Sequence, residues 1–199
     1  MHSLPILLFD VMDTLVYNPF NHEIPAFFGL SQALLLEQKS PLAWEQFELG
    51  KISEQDYYDG YFRDRRKFDH QEFRRVVRDA YRWIDPDTVG LLDRLRASGF
   101  TIHAFSNYPI WYETIDARLG LSEFLDWTFV SCRTGVRKPC KDAYVGVTQY
   151  FARPPDAFLF VDDSIVNCKA ARAIGMPAIH YRDLSTLRIE LAQHGVLAE

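Results

Sequence analysis

Cysteine is too scarce in this chain to hold it together: three occur in 199 residues, Cys132, Cys140 and Cys168, with no metal-ligand spacing. An odd count of that kind argues against a disulfide framework and for a reducing compartment. Long apolar runs are missing too. The early run Ile6-Leu7-Leu8-Phe9 stops at Asp10, too short to cross a membrane. Met1-His2-Ser3-Leu4-Pro5 ahead of it lacks a basic n-region, so the start does not read as a signal peptide. Positive charge is not in excess, since the net charge is -5. The densest basic run, Arg63-Asp64-Arg65-Arg66-Lys67, carries an aspartate. It reads as a solvated face or as cover for an anionic substrate, not as a nucleic-acid surface. Repeats and low-complexity tracts are absent. The expectation is a cytoplasmic protein, or one of the plastid stroma if a transit peptide has been removed, with no membrane and no nucleic-acid partner.

What is present is a globular composition, 48% hydrophobic and 15% aromatic. A chain of this length buries roughly 70% of its extended surface, enough for one domain or one domain with an insertion. Ile6 to Phe9 is apolar on both faces, as a central parallel strand covered by helices must be. Residues 17 to 84 are instead rich in helix signals. A helical stretch is expected over Ala26 to Lys39, and another after the Ser40-Pro41 start signal, stopped by Gly50. Ser53 and Asp69 are placed to cap two more. From Asp85-Pro86, helix and strand patterns alternate. Strands are expected at Phe100 to Phe105, Trp127 to Val130, Ala157 to Val161 and Pro177 to Tyr181, with a loop over Arg133 to Pro139. That alternation predicts an α/β fold with a parallel sheet. The domains are a core of 1-16 and 85-199 and a small helical cap of 17-84.

The chemistry stands at the strand ends, where open parallel sheets bind ligands. Asp10 ends the first strand, Ser106-Asn107 the second and Asp162-Asp163 the fourth, while the loop after the third carries Lys138-Pro139. If these ends converge, three carboxylates share a cleft with one cation and one hydroxyl. Three carboxylates cannot all stay ionised without compensation. A divalent cation supplies it, and an all-oxygen set suits Mg²⁺. The remaining carboxylate faces the substrate, and an aspartate attacks phosphorus to give an aspartyl-phosphate. Lys138 balances the phosphoryl oxygens, and Ser106 and Asn107 hydrogen-bond them. The implied partner is a small-molecule phosphate ester.

These residues resemble the four motifs of the haloacid dehalogenase-like hydrolases. Phe9-Asp10 through Leu15-Val16 resembles the first, and Ser106-Asn107 the second. Gly135-Val136-Arg137-Lys138-Pro139 with Tyr144 resembles the third, and Val161-Asp162-Asp163-Ser164 with Asn167, Ala171 and Gly175 the fourth. The resemblance implies a Rossmann-like sheet of strand order 5-4-1-2-3 under a helical cap, with Asp10 as nucleophile. It also implies Mg²⁺ held by Asp10, the Met12 backbone carbonyl and Asp163, with Asp162 assisting. Closer still is a plant and algal branch described as flavin mononucleotide hydrolases of the chloroplast. It is similar in the first motif, in Asn18-Pro19-Phe20, in Pro25-Ala26-Phe27-Phe28-Gly29 and in Phe105 to Tyr112.

One position departs from the family's phosphatases. Where they carry a second aspartate, this chain has Met12, which neither gives nor takes a proton. A positioned general acid is worth about 10²- to 10⁴-fold in rate. Asp13, one residue on, is the candidate to replace it, or else it bonds backbone amides of the loop as turn aspartates do. The departure keeps two alternatives open: a 2-haloacid dehalogenase, which needs no metal, and a non-catalytic scaffold. Asp162 and Asp163 side by side favour metal and phosphate chemistry. The aromatics of 17 to 84, together with Tyr108 and Trp111 beside the second motif, suit stacking on an isoalloxazine ring. The leading expectation is a Mg²⁺-dependent hydrolase that converts flavin mononucleotide to riboflavin and phosphate.

Overall fold

A computed structural model describes residues 4–197; the leader reading at Met1 to Ser3 lies outside the described residues. Five parallel strands form the sheet: β1 (Ile6–Phe9), β2 (Ile102–Ser106), β3 (Asp126–Val130), β4 (Phe158–Asp162) and β5 (Ala178–His180). Their order is β3-β2-β1-β4-β5, the 5-4-1-2-3 arrangement expected. β1 is central, with Phe9 opposite Ala104 of β2 and Val161 of β4. All four of its side chains are buried, because helices cover both faces. That burial is why the strand is a continuous apolar run and not an alternating one.

Helices α1 (Glu23–Phe27), α2 (Gln32–Gln38), α3 (Ala43–Glu48), α4 (Glu54–Asp59) and α5 (His70–Ala80) lie between β1 and β2. The chain then continues through α6 (Thr88–Ala97), α7 (Tyr112–Leu119), α8 (Ser131–Thr134), α9 (Lys141–Phe151), α10 (Ile165–Ala173) and α11 (Leu184–Gln193). Ser53 and Asp56 close a reciprocal capping box on α4, and Asp69 caps α5 by accepting from Glu72 N at 2.9 Å. Each such cap stabilises by about 1 kcal/mol.

Two expected elements differ. The stretch expected as one helix over 26–39 is broken, because Gly29 takes a left-handed φ of 65° and Ser31 starts α2 afresh by capping Leu34 N. The loop expected over 133–139 begins with the last residues of α8, a single turn ended by Gly135 at φ 72°. Helix starts also slip: Leu42 and not Ser40 precedes α3, and α6 opens at Thr88 and not at Pro86.

Residues 17–84 leave and rejoin the sheet at one place, where Val16 bridges Trp83 and Tyr17 N bonds the Arg82 carbonyl at 2.9 Å. α3 packs on α8 through Gly50. An added Cβ there would lie 2.5 Å from the Cys132 carbonyl, and φ is 67° besides, so glycine alone permits the approach. Among the described residues no helix is long and apolar enough to cross a membrane.

Candidate active site

The strand order places the acidic residues side by side. Asp10 follows β1, and its amide bonds the Val161 carbonyl at 2.8 Å, so the β1 end is tied to the β4 end that carries Asp162. Lys138 arrives from the loop after α8 and is buried, 1% exposed. Its Nζ donates to Asp10 Oδ1 at 2.7 Å, to Asp162 Oδ2 at 2.6 Å and to the Phe105 carbonyl. All three ammonium protons are thus spent on strand-end acceptors. Burial alone pushes this ammonium down, and the two carboxylates more than reverse that. Asp162 also accepts from Ser164 N at 2.8 Å and from the Asn167 amide at 3.0 Å.

Asp10, Asp162 and Asp163 each present an oxygen within 4.8 Å of the others. Burial raises the Asp10 carboxyl to about 8; Lys138 opposes the shift, and Asp162 and Asp163 add to it. Asp163 is exposed at the edge of the group, yet partial desolvation, then the Asp162 and Asp13 charges, lift it to about 6. One ammonium does not balance three clustered carboxylates. A hard divalent cation with oxygen ligands fits the deficit, and its binding requires the deprotonated acids. The Met12 carbonyl takes none of the backbone bonds that close the turn after Asp10.

Ser106 Oγ is buried and has no hydrogen-bond partner among the described residues. Asn107 instead clamps the lysine loop, accepting from Lys138 N and donating to the Lys138 carbonyl, both at 2.8 Å. Asp13 is not brought into the carboxylate group. It sits at φ 58° and accepts from Asn18 Nδ2 at 3.1 Å and Asn21 Nδ2 at 2.9 Å. Its partners are side-chain amides, where backbone amides are the usual ones. Tyr108 and Trp111 have their polar atoms engaged, the first with Tyr81 at 2.9 Å and the second with Glu54. Each therefore offers a ligand only its ring. The basic run 63–67 is exposed and paired within itself and its surroundings, Arg66 with Asp64 and Lys67 with Asp59.

Several participants escape sequence reasoning. Thr14 links two strand ends by accepting from Asp163 N at 3.1 Å, with its hydroxyl 3.5 Å from Asp10; its place four residues after Asp10 is the only clue. Glu48 is buried on α3 with its Oε1 2.7 Å from Arg137 Nε, while Glu45 meets the same guanidinium at 2.8 Å. This ties α3 to the residue beside Lys138. Burial raises Glu48 to about 7, with Arg137 opposing. A pocket opens between the strand ends and segment 17–84, lined by Met12, Asn107, Tyr108 and Trp111 on the sheet side and by Phe20, Lys39, Trp44, Tyr57 and Tyr61 opposite. Nothing in the sequence distinguishes Lys39 from a solvated lysine at a helix end.

Known proteins similar to this chain share its family and its fold. The model of the haloacid dehalogenase-like hydrolase family matches residues 5–175. A chloroplast protein of Arabidopsis thaliana, flavin mononucleotide hydrolase 1, is 42% identical over 194 residues, 98% of this chain and 79% of its own. Sesquiterpene phosphatase astK of Aspergillus oryzae is 29% identical over 75% of this chain and 78% of its own. Among solved structures, a family enzyme of Bacteroides thetaiotaomicron in complex with magnesium and inorganic phosphate superposes with a TM-score of 0.77 at 21% identity. It covers 93% of this chain and 99% of its own.

Proposed function

This chain belongs to the haloacid dehalogenase-like hydrolases, and we propose that it is a Mg²⁺-dependent phosphomonoesterase that acts through Asp10 on flavin mononucleotide. The observation that carries the reading is the buried Lys138 ammonium shared between Asp10 and Asp162, with the unpartnered Ser106 hydroxyl on the adjoining strand end. In the proposed reaction an Asp10 carboxylate oxygen attacks phosphorus and the ester oxygen departs as its alcohol after gaining a proton. Water then cleaves the aspartyl-phosphate, its oxygen going to phosphate and Asp10 being restored. Lys138 offsets charge on the phosphoryl group, and Ser106 donates to one of its oxygens. Mg²⁺ held by Asp10, the Met12 carbonyl and Asp163, with Asp162 behind them, would neutralise carboxylate and phosphoryl charge. Residues 17–84 serve as the cap over a core of 1–16 and 85–199.

The substrate reading is supported by the relative named a flavin mononucleotide hydrolase and by the aromatic lining of the pocket. The magnesium and phosphate of the Bacteroides enzyme support the metal. The chloroplast naming of the Arabidopsis relative favours plastid stroma over cytoplasm. Phosphate release from a panel of phosphomonoesters is the test, with flavin mononucleotide expected to lead in Mg²⁺ and turnover to cease in chelator. Metal-independent halide release from a 2-haloacid would replace the reading with the dehalogenase one. A folded protein inert on every substrate would replace it with the scaffold.

Asp13 enters this reading as a positioning residue. With both oxygens taken by Asn18 and Asn21, it fixes the turn that leads from β1 into the cap. Asp13→Asn is expected to lower the melting temperature by a few degrees and kcat by less than about tenfold. A loss of about 10²-fold or more at unchanged fold would instead make Asp13 the proton donor that Met12 cannot be.

A further inference from the structure

The pocket whose sheet side is lined by Met12 and Asn107 contains polar groups that the proposed chemistry does not use. Lys39, Tyr57 and Tyr61 line its cap side. Lys39 is fixed by its backbone: it bridges Phe62, its carbonyl accepts from Arg63 Nε at 3.2 Å, and Ser40 N bonds the Tyr61 carbonyl at 2.7 Å. Its Nζ lies 4.4 Å from the centre of the Phe20 ring and makes no hydrogen bond or ion pair among the described residues. Burial lowers this ammonium, with only the Glu48 charge opposing. The Tyr57 and Tyr61 hydroxyls, on residues each 3% exposed, likewise have no hydrogen-bond partner among the described residues. Their neighbours show that the cluster satisfies its hydroxyls elsewhere, since Tyr58 donates to Glu54 at 2.7 Å and Tyr81 pairs with Tyr108.

Three unmatched donor heads in an aromatic-walled pocket call for a ligand that is flat and carries acceptors along one edge. Leaving polar groups desolvated and unpaired is costly, so the bound molecule must supply oxygens or ring nitrogens. An isoprenoid chain would leave all three heads unpaired. A sugar would match some of them and waste the rings. A fused heteroaromatic ring with carbonyls on its edge satisfies both.

We infer that Lys39, with Tyr57 and Tyr61, is the specificity-determining set of this pocket and reads the carbonyl-bearing edge of a planar heteroaromatic leaving group, while the phosphoryl end lies toward Asp10. The inference rests on the hydrolase reading for its second clause only. Two readouts test it in the full-length protein: riboflavin affinity by quenching of flavin fluorescence, which needs no turnover, and the ratio of kcat/KM for flavin mononucleotide over glycerol phosphate.

In Lys39→Met, riboflavin affinity is expected to weaken by about 10- to 100-fold, as for a lost bond to a charged group, with the substrate ratio falling in parallel. Lys39→Arg should recover part of both. If Lys39→Met does not fold, the double variant Tyr57→Phe/Tyr61→Phe carries the same comparison. Unchanged riboflavin affinity and unchanged ratio in a folded variant would overturn the inference and leave the hydrolase reading standing. Wild type that binds riboflavin through Lys39 yet releases no phosphate from flavin mononucleotide would overturn the hydrolase reading and leave the pocket assignment standing. Wild type with neither riboflavin binding nor preference for the flavin ester overturns the assignment of the ring.

Discussion

Asp10→Asn is expected to abolish phosphate release, by on the order of 10⁴- to 10⁶-fold as for other lost nucleophiles, while leaving the fold as stable as wild type or more so. The two halves of this expectation share one cause. Asp10 is buried, and burial lifts its carboxyl to about 8, so near neutral pH the folded, metal-free protein holds a proton there that the unfolded chain has released. A carboxyl whose folded pKa lies above its unfolded value contributes stability that is full below the unfolded value and lost as pH rises through the folded one. Asparagine keeps the shape and removes the charge. The gap in melting temperature between Asp10→Asn and wild type, both in chelator, should therefore widen in favour of the variant from pH 5 to pH 8. The phosphate assay in Mg²⁺ and the thermal scan are read together. Activity within a hundredfold of wild type would remove Asp10 as nucleophile, and a variant that loses stability toward pH 8 would contradict the burial argument.

The sheet was legible because β1 and β4 are buried throughout, which writes them as short apolar runs that each end at an aspartate. Ile6-Leu7-Leu8-Phe9-Asp10 and Phe158-Leu159-Phe160-Val161-Asp162 needed no tertiary knowledge. The helical segment was legible in kind and not in detail. Phe27 and Phe28 continue a helical pattern straight into Gly29, and only the left-handed φ of that glycine breaks it. Asn107 shows the limit at the site. Its place beside Ser106 marks it as polar and at a strand end, but its bonding to Lys138, 31 residues away, depends on how two loops meet. Glu48 and Arg137 are further apart still, and Lys39 is one of six lysines until the fold lays it on the Phe20 ring. Motif residues are legible because chemistry fixes their spacing from a strand end. Pocket walls are not, because tertiary packing selects them.

Lys138→Met should be damaging in both respects, in contrast to Asp10→Asn at the same contact. Methionine fills much of the space but leaves Asp10 and Asp162 facing one another without the ammonium that now lies 2.7 and 2.6 Å from them. Removing one partner from a buried charge group costs about 3–5 kcal/mol, roughly 6 to 20 °C in melting temperature for a chain of this size. Asp162 keeps its bonds from Ser164 N and Asn167, so with Lys138 no longer opposing the shift Asp10 is the carboxyl that holds its proton to still higher pH, and a protonated carboxyl cannot attack. With the loss of a charge-stabilising donor added, turnover should fall by at least about 10²- to 10³-fold. The stability deficit should shrink on acidification toward pH 5, because the unpaired carboxyl is then neutral in the folded state. Adding Asp10→Asn to Lys138→Met should restore part of the lost stability and none of the activity, since the like-charge contact is gone while the carboxylate proposed to attack is still absent. A double variant no more stable than Lys138→Met at pH 8 would show that the two carboxylates are not what the lysine holds together.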